Sequence, residues 1–166
     1  MSNLTVKAFI EIPTGSQNKY EYDKEAGAFV LDRVLYSPMH YPTEYGYLPN
    51  TLALDGDPLD ILVLTTFPTF PGCIIESRVI GVLLMSDDKG QDEKLLAVPV
   101  SDPRFNEVQS LDDVPPHKLK EIAHFFEVYK DLENKKTVIE GWKDADFAKQ
   151  LYEECVKRFA EQKKEA

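Results

Sequence analysis

The sequence predicts an α+β protein, mainly β, in which a five-stranded, closed or strongly curled β-barrel carries two helices on its outside. Runs rich in β-branched and aromatic residues, bounded by turn residues, fill most of the first hundred positions. Two apolar stripes at helical spacing follow them. Several short strands in succession favour a barrel or a strongly curled sheet.

The strands are expected where these runs are longest, at residues 6–12, 28–36, 59–65, 74–85 and 95–100. Between the second and third runs, the segment 37–50 contains Pro38, Pro42 and Pro49 together with Gly46. Proline has no backbone N–H to donate to a strand ladder. We therefore expect residues 37–50 to be irregular.

The two helical patterns lie near the C-terminus, and each places its apolar residues on one face. We expect both faces to pack on the outside of the barrel. The first stripe consists of Leu119, Ile122, Ala123, Phe126 and Tyr129, and the second of Phe147, Leu151, Cys155 and Phe159.

Length and composition predict a single domain over residues 1–166, because 43% hydrophobic and 11% aromatic content suffices for a core. No apolar run approaches the roughly 20 residues of a membrane helix, and the first residues do not resemble a secretory signal. We expect a cytoplasmic protein, with Cys73 and Cys155 as thiols.

The charge balance limits the partners. With 29 acidic and 19 basic residues, the chain has a formal net charge of −10. This charge repels nucleic acids and anionic membranes, so neither is expected as a partner. A small anionic substrate can still bind where metal ions and converging basic residues reverse the local field.

An acidic cluster, Asp55-Gly-Asp-Pro-Leu-Asp60, lies directly before an apolar run. Crowded carboxylates repel one another and are commonly neutralised by hard metal ions. An EF-hand is excluded, because its loop has Gly at the sixth position and Glu at the twelfth, whereas Thr66 is twelfth here. A solvated acidic turn remains the alternative.

A second acidic segment, residues 85–94, has the pattern of a hairpin tip. It contains Asp87, Asp88, Asp92 and Glu93. Taken alone, such a tip is commonly just exposed to solvent. If the fold places it beside Asp55 and Asp60, it supplies further oxygen ligands of the kind that Mg²⁺ takes.

The type of metal follows by exclusion. His40, His117 and His124 do not have the spacing of a ligand set, and the two cysteines are far apart, which disfavours zinc and soft metals. Oxygen ligands indicate Mg²⁺, with Mn²⁺ or another divalent ion as a substitute. The sequence has no Gly-rich phosphate loop, no nucleophile elbow and no convincing cysteine nucleophile.

Seven separated motifs together resemble the soluble type I inorganic pyrophosphatases, from about residue 9 to residue 142. The short chain is similar to the bacterial branch, which implies a barrel of OB-fold type and a homohexamer. The motifs are Glu11-Ile-Pro, Lys19-Tyr-Glu21, Asp32-Arg33, Tyr41-Pro-Thr-Glu-Tyr45-Gly-Tyr, Asp55-Gly-Asp-Pro-Leu-Asp60, Asp87-Asp-Lys-Gly-Gln-Asp92-Glu-Lys94 and His124-Phe-Phe-Glu-Val-Tyr129-Lys130-Asp-Leu-Glu.

The resemblance implies a role for each matching residue. Asp57 matches the general base, and Arg33 and Tyr45 match groups that act at the reacting phosphate. Glu21 and Tyr41 match supporting cleft residues, whereas Asp88 replaces the family's usual Glu and is left out. The implied metal ligands are Asp55, Asp60, Asp92, Asp87 and Glu11, and the implied substrate-binding residues are Lys19, Arg33, Tyr45, Lys94, Tyr129 and Lys130.

The reaction implied is Mg²⁺-dependent hydrolysis of inorganic pyrophosphate to two orthophosphates. Metal-activated water attacks directly and in line, with no covalent intermediate. Two other hypotheses remain open: a metal-dependent nuclease or phosphodiesterase, and a non-enzymatic barrel that sequesters a divalent ion or a phosphorylated ligand.

Overall fold

Nine strands and two helices make up the regular structure of the computed structural model, which describes residues 3–165. Three single 3₁₀ turns lie at Pro103–Phe105, Leu111–Asp113 and Asp131–Glu133. The strands are β1 Thr5–Ile12, β2 Asn18–Asp23, β3 Ala28–Val34, β4 Glu44–Tyr47, β5 Asp60–Val63, β6 Ile74–Asp87, β7 Gly90–Gln91, β8 Lys94–Pro99 and β9 Val138–Asp144, and the helices are α1 Pro116–Val128 and α2 Ala145–Glu165.

Five strands close into a ring in the order β1-β4-β5-β8-β6, and β6 pairs back onto β1. The 14-residue β6 makes this closure possible, because its first part pairs with β1, its middle with β8 and its second half with β9. Strands β5 and β8 are parallel, and every other neighbouring pair in the ring is antiparallel. The predicted α+β fold with a curled, barrel-like sheet is confirmed.

The core consists of two apolar clusters. Helix α2 contributes Ala148 and Cys155 to one cluster, and α1 contributes Ile122, Phe125 and Phe126 to the other. All six residues of β8 are buried. The helices therefore cover the barrel from outside as predicted, although Phe147, predicted on the buried face of α2, is 40% exposed.

The expectation of an irregular segment at residues 37–50 is wrong, because β4 lies within it. Pro42 precedes this strand and Pro49 follows it, so neither removes a hydrogen bond from the ladder. Gly46 lets β4 approach β1 closely, opposite Ile10. Strands β2 and β9 were also missed, since their polar sequences lack a continuous apolar run.

Strands β2 and β3 form a separate two-stranded hairpin. It packs on the barrel through aromatic rings, because the ring centroid of Phe9 in β1 lies 5.5 Å from that of Tyr22 and 5.9 Å from that of Phe29. Within the barrel, Phe9 also lies 5.2 Å from the Tyr47 ring. Such contacts add to simple area burial. In residues 3–165, neither helix has the length and apolar character needed to cross a membrane.

We predict that Gly46→Ala destabilises the fold by about 3 kcal/mol, because an added methyl group overpacks a rigid site. Its Cβ would lie 1.9 Å from the backbone oxygen of Phe9, so β1 itself would have to move. Urea unfolding measures the loss. Gly81→Ala is the matched control, since the atoms nearest to its Cβ, at 2.6 Å, belong to the flexible Leu111 side chain rather than to backbone. Equal losses in the two variants would contradict the prediction.

Candidate active site

One cleft of about 350 Å³ collects acidic, basic and phenolic side chains from the barrel, the hairpin and the end of α1. All of the predicted site residues line it except Tyr41 and Lys94. Its carboxylates are Glu11, Glu21, Asp55, Asp57, Asp60, Asp87, Asp88 and Asp92, its basic residues are Lys19, Lys24, Arg33, Lys89, Lys130 and Lys135, and its phenols are Tyr20, Tyr22, Tyr45, Tyr47 and Tyr129.

The loop before β5 is held in shape by its own hydrogen bonds. The buried Thr51 hydroxyl donates to the Leu48 oxygen at 2.6 Å and accepts from the Leu59 N–H at 2.9 Å. The Asp57 N–H donates to Asp55 Oδ1 at 3.0 Å. Gly56 has φ 91°, a conformation that favours glycine. These bonds fix where the first acidic cluster meets the cleft.

Helix α2 anchors the same loop from behind. The Leu52 N–H donates to the Cys155 backbone oxygen at 3.0 Å, and Arg158 Nη1 donates to the Leu52 oxygen at 2.7 Å. Both Cys73 and Cys155 are free thiols. The helix that covers one core cluster thus also supports the acidic loop.

The parallel pairing of β5 and β8 brings the two acidic segments together, because it sets Asp60 opposite Lys94. Lys94 Nζ donates to Asp60 Oδ2 at 2.9 Å and to Asp92 Oδ2 at 3.1 Å. It also donates to the Tyr45 hydroxyl at 3.1 Å, which in turn donates to Asp60 at 2.9 Å. Lys94 is fully buried, so it lies beneath the cleft rather than on its wall.

Partial burial disfavours the ionised form of several cleft carboxylates, although Lys94 holds the pKa of Asp92 below its usual range. Burial raises the pKa of Glu11 to about 7 and that of Asp60 to about 6, and it also raises the pKa of Asp55. Burial acts to lower the pKa of Lys94, but Asp60, Tyr45 and Asp92 hold it well above its usual range. Further cations would favour the ionised form of these carboxylates.

The donor set fits a hard divalent cation, since carboxylates line the cleft and no thiol or imidazole among residues 3–165 joins them. Among residues 3–165, no group of three histidine, cysteine, aspartate or glutamate side chains is already arranged to coordinate one metal ion. The ligand groups converge on one cleft but do not form a closed cage.

The basic side of the cleft comes from the hairpin and from the end of α1. Lys19 Nζ lies 3.0 Å and Arg33 Nη1 lies 3.1 Å from Asp32 Oδ2. Tyr129 directly follows α1 and is buried, which raises its pKa to about 12 and keeps its phenol protonated. Burial, and then the charge of Arg33, lower the pKa of Lys130.

Tyr41 lies behind the cleft. It is only 2% exposed, and its ring centroid is 4.9 Å from that of Phe125 and 5.8 Å from that of Tyr45. It can therefore hold the Tyr45 ring in place. Glu21 is exposed and lines the cleft.

Sequence reasoning missed some cleft residues. Tyr47 belongs to a quoted motif and faces the cleft, and Asp88 lines it although it was set aside. Lys24 and Lys135 are exposed lysines without any distinguishing sequence signal. Asp32 and Glu133 lie within quoted motifs, which could have directed attention to them.

Comparison with known proteins identifies the family. The family model described as inorganic pyrophosphatase matches residues 8–160. The chain belongs to the inorganic pyrophosphatase family. It is 68% identical to the inorganic pyrophosphatase of Geobacillus stearothermophilus over 161 residues, which cover 97% of this chain and 98% of that relative.

Solved structures of bacterial pyrophosphatases have the same fold. The Thermus thermophilus enzyme superposes with a TM-score of 0.92 at 47% identity, covering 94% of this chain and 91% of that one. The Helicobacter pylori enzyme gives a TM-score of 0.91 at 44% identity and covers 94% of each chain. The predicted bacterial type I pyrophosphatase, a hydrolase, is confirmed, and the family implies inorganic pyrophosphate as substrate and dependence on a divalent metal.

Proposed function

We propose that this pyrophosphatase hydrolyses inorganic pyrophosphate to two orthophosphates with Mg²⁺, by direct in-line attack of water and without a covalent intermediate. The observation that supports this most is a single cleft lined by carboxylates together with cationic and phenolic donors. Such a site can bind metal ions and an anionic substrate next to each other.

Five carboxylates would hold the metal ions. When bound, Mg²⁺ would neutralise phosphate charge and lower the pKa of water, and Mn²⁺ or another divalent ion could substitute for it. The raised pKa values of Glu11, Asp55 and Asp60 support this assignment, because partial burial and neighbouring carboxylates disfavour their ionised forms, which a bound cation would stabilise. The proposed ligands are Asp55, Asp60, Asp92, Asp87 and Glu11.

The substrate would bind to the cationic and phenolic residues of the same cleft. Arg33 presents a planar guanidinium that can bind two phosphate oxygens at once, while lysines act as point charges and phenols donate neutral hydrogen bonds. Arg33 and Tyr45 would also stabilise charge at the reacting phosphate. The proposed substrate-binding residues are Lys19, Arg33, Tyr45, Lys94, Tyr129 and Lys130, with Glu21 and Tyr41 as supporting residues. Lys94 is buried beneath the cleft, so it would act on the substrate through its charge rather than by direct contact.

Asp57 would act as the general base. Its side chain is exposed and lines the cleft, so it can reach a water molecule there. Its backbone is held by hydrogen bonds on both sides, from its N–H to Asp55 and from Ala53 N to its own oxygen at 2.7 Å. A fixed carboxylate beside the substrate can accept the proton of the attacking water.

We also propose a cytoplasmic homohexamer formed from one-domain subunits, without nucleic-acid or membrane partners. Large exposed apolar side chains support subunit contacts. The net charge of −10 disfavours polyanions. Light scattering should give about six times the chain mass of 18.9 kDa, and a monomer at micromolar concentration would contradict the hexamer. The apolar residues include Val30, Leu31, Val34, Tyr36, Leu54, Phe67, Phe70 and Ile74.

The choice of substrate is tested by orthophosphate release with Mg²⁺. We expect fast release from pyrophosphate and release at least about 100-fold slower from a nucleoside triphosphate or a phosphodiester, because only pyrophosphate presents two adjacent phosphates without an organic substituent to the charged cleft. Chelation of divalent ions should abolish release, and Mg²⁺ should restore it. Preferential cleavage of the phosphodiester would favour the nuclease hypothesis instead.

We predict that Asp57→Asn lowers kcat by about 10²- to 10⁴-fold, the usual contribution of a general base. Mg²⁺ binding, measured by titration calorimetry, and the circular dichroism spectrum should stay close to those of the parent. Asp112→Asn, an exposed aspartate outside the cleft, is the matched control. Full activity of Asp57→Asn at neutral pH would remove Asp57 from this role.

A further inference from the structure

Four of the proposed substrate-binding residues lie on two elements outside the barrel sheet. Lys19 and Arg33 belong to the β2–β3 hairpin, which pairs with no strand of the barrel within the described residues. Tyr129 and Lys130 follow α1. A substrate that bridges both elements needs them at a fixed separation, because misplacement by about 1 Å can cost 100-fold in rate.

Glu133 lies between these two elements. It ends the 3₁₀ turn that follows Lys130, and its N–H donates to the Lys130 oxygen at 3.0 Å. On the side of the hairpin, Glu133 Oε1 is 3.2 Å from Nε of Arg33 in β3. Asn134 next to it has φ 59°, so the chain turns sharply there.

Burial makes this ion pair more than a surface contact. The Glu133 side chain is only 7% exposed, and that of Arg33 is 23% exposed. Among residues 3–165, Glu133 Oε2 and Arg33 Nε are buried atoms without a hydrogen-bond partner of good geometry. A buried carboxylate is costly unless a positive charge lies beside it, and here Arg33 supplies that charge.

The pair also restricts the orientation of the guanidinium. Asp32 accepts from Nη1 at 3.1 Å, and Glu133 lies on the Nε side at 3.2 Å. Two carboxylates on different edges of a planar group fix its plane, and Nη2 is left to donate to an anion. Asp32 is 32% exposed and is shared with Lys19, so Glu133 is the more buried of the two supports.

We propose that Glu133 is a positioning residue, which orients Arg33 for phosphate binding and holds the hairpin against the turn that carries Tyr129 and Lys130. This inference rests on the proposed role of Arg33 in substrate binding. Glu133 itself acts through Arg33, since its carboxylate would repel the substrate.

A double-mutant cycle tests the proposal. Pyrophosphate hydrolysis is measured for Glu133→Ala, Arg33→Ala and the double variant in the full chain. We expect Glu133→Ala to lower kcat/KM by about 10- to 100-fold in the parent, but by less than about threefold in the Arg33→Ala background. Asp131→Ala removes an exposed carboxylate from the same turn and is the matched control, expected within about twofold of the parent.

Glu133→Gln provides a second variant, because it keeps an oxygen that can face Arg33 Nε. Glu133→Gln should retain more activity than Glu133→Ala. If Glu133→Ala does not fold, Glu133→Gln takes its place in the double-mutant cycle. Equal losses in both backgrounds, or unchanged kcat/KM in Glu133→Ala, would overturn the proposal. Unchanged kcat/KM in Arg33→Ala would instead remove the substrate-binding role proposed for Arg33.

Discussion

The buried ammonium of Lys94 is the interaction on which the cleft depends. It lies between Asp60 and Asp92, and without it two partly buried carboxylates from separate segments would face each other at the base of the cleft. Removing one partner of such a group leaves uncompensated buried charge, which typically costs several kcal/mol. Because Asp60 begins β5 and Lys94 begins β8, the parallel pairing of these strands sets the position of all three groups.

The barrel and the hairpin, which carry the cleft residues, are held in place by different kinds of contact. The barrel side consists of strands in a closed ring, and helix α2 holds the acidic loop through Arg158 and Cys155. The hairpin side is a two-stranded unit attached by aromatic packing and by the Arg33–Glu133 pair. The carboxylates are therefore placed by the core of the fold, whereas part of the cationic half is placed by local contacts.

Much of the fold and of the cleft could be predicted from particular residues. The crowding of Asp55, Asp57 and Asp60 before an apolar run indicated a charged loop at a strand entrance, and the structure has this loop. The position of Lys94 could not be derived from local pattern, because a lysine two residues after an aspartate is normally a surface residue. Its burial results from strand register, which joins residues far apart in the sequence.

The missed elements have related physical causes. Strand β4 is short and flanked by prolines, so its identity depends on Gly46 fitting against β1. Strands β2 and β9 are polar, and they become strands through pairing rather than through their own propensity. The contact between Glu133 and Arg33 spans a hundred residues of chain. No periodicity within a short window can reveal such a contact.

The complete burial of Lys94 also means that dissolved ions affect the two sides of the cleft differently. Mobile counterions screen exposed charges over a Debye length of about 8 Å at physiological ionic strength, but they cannot enter the interior. Lys19, which is 25% exposed, is open to this screening, whereas Lys94 is shielded from it. As ionic strength rises, the attraction of exposed cations such as Lys19 for an anion weakens first. The electrostatic attraction exerted by the buried Lys94 ammonium changes less.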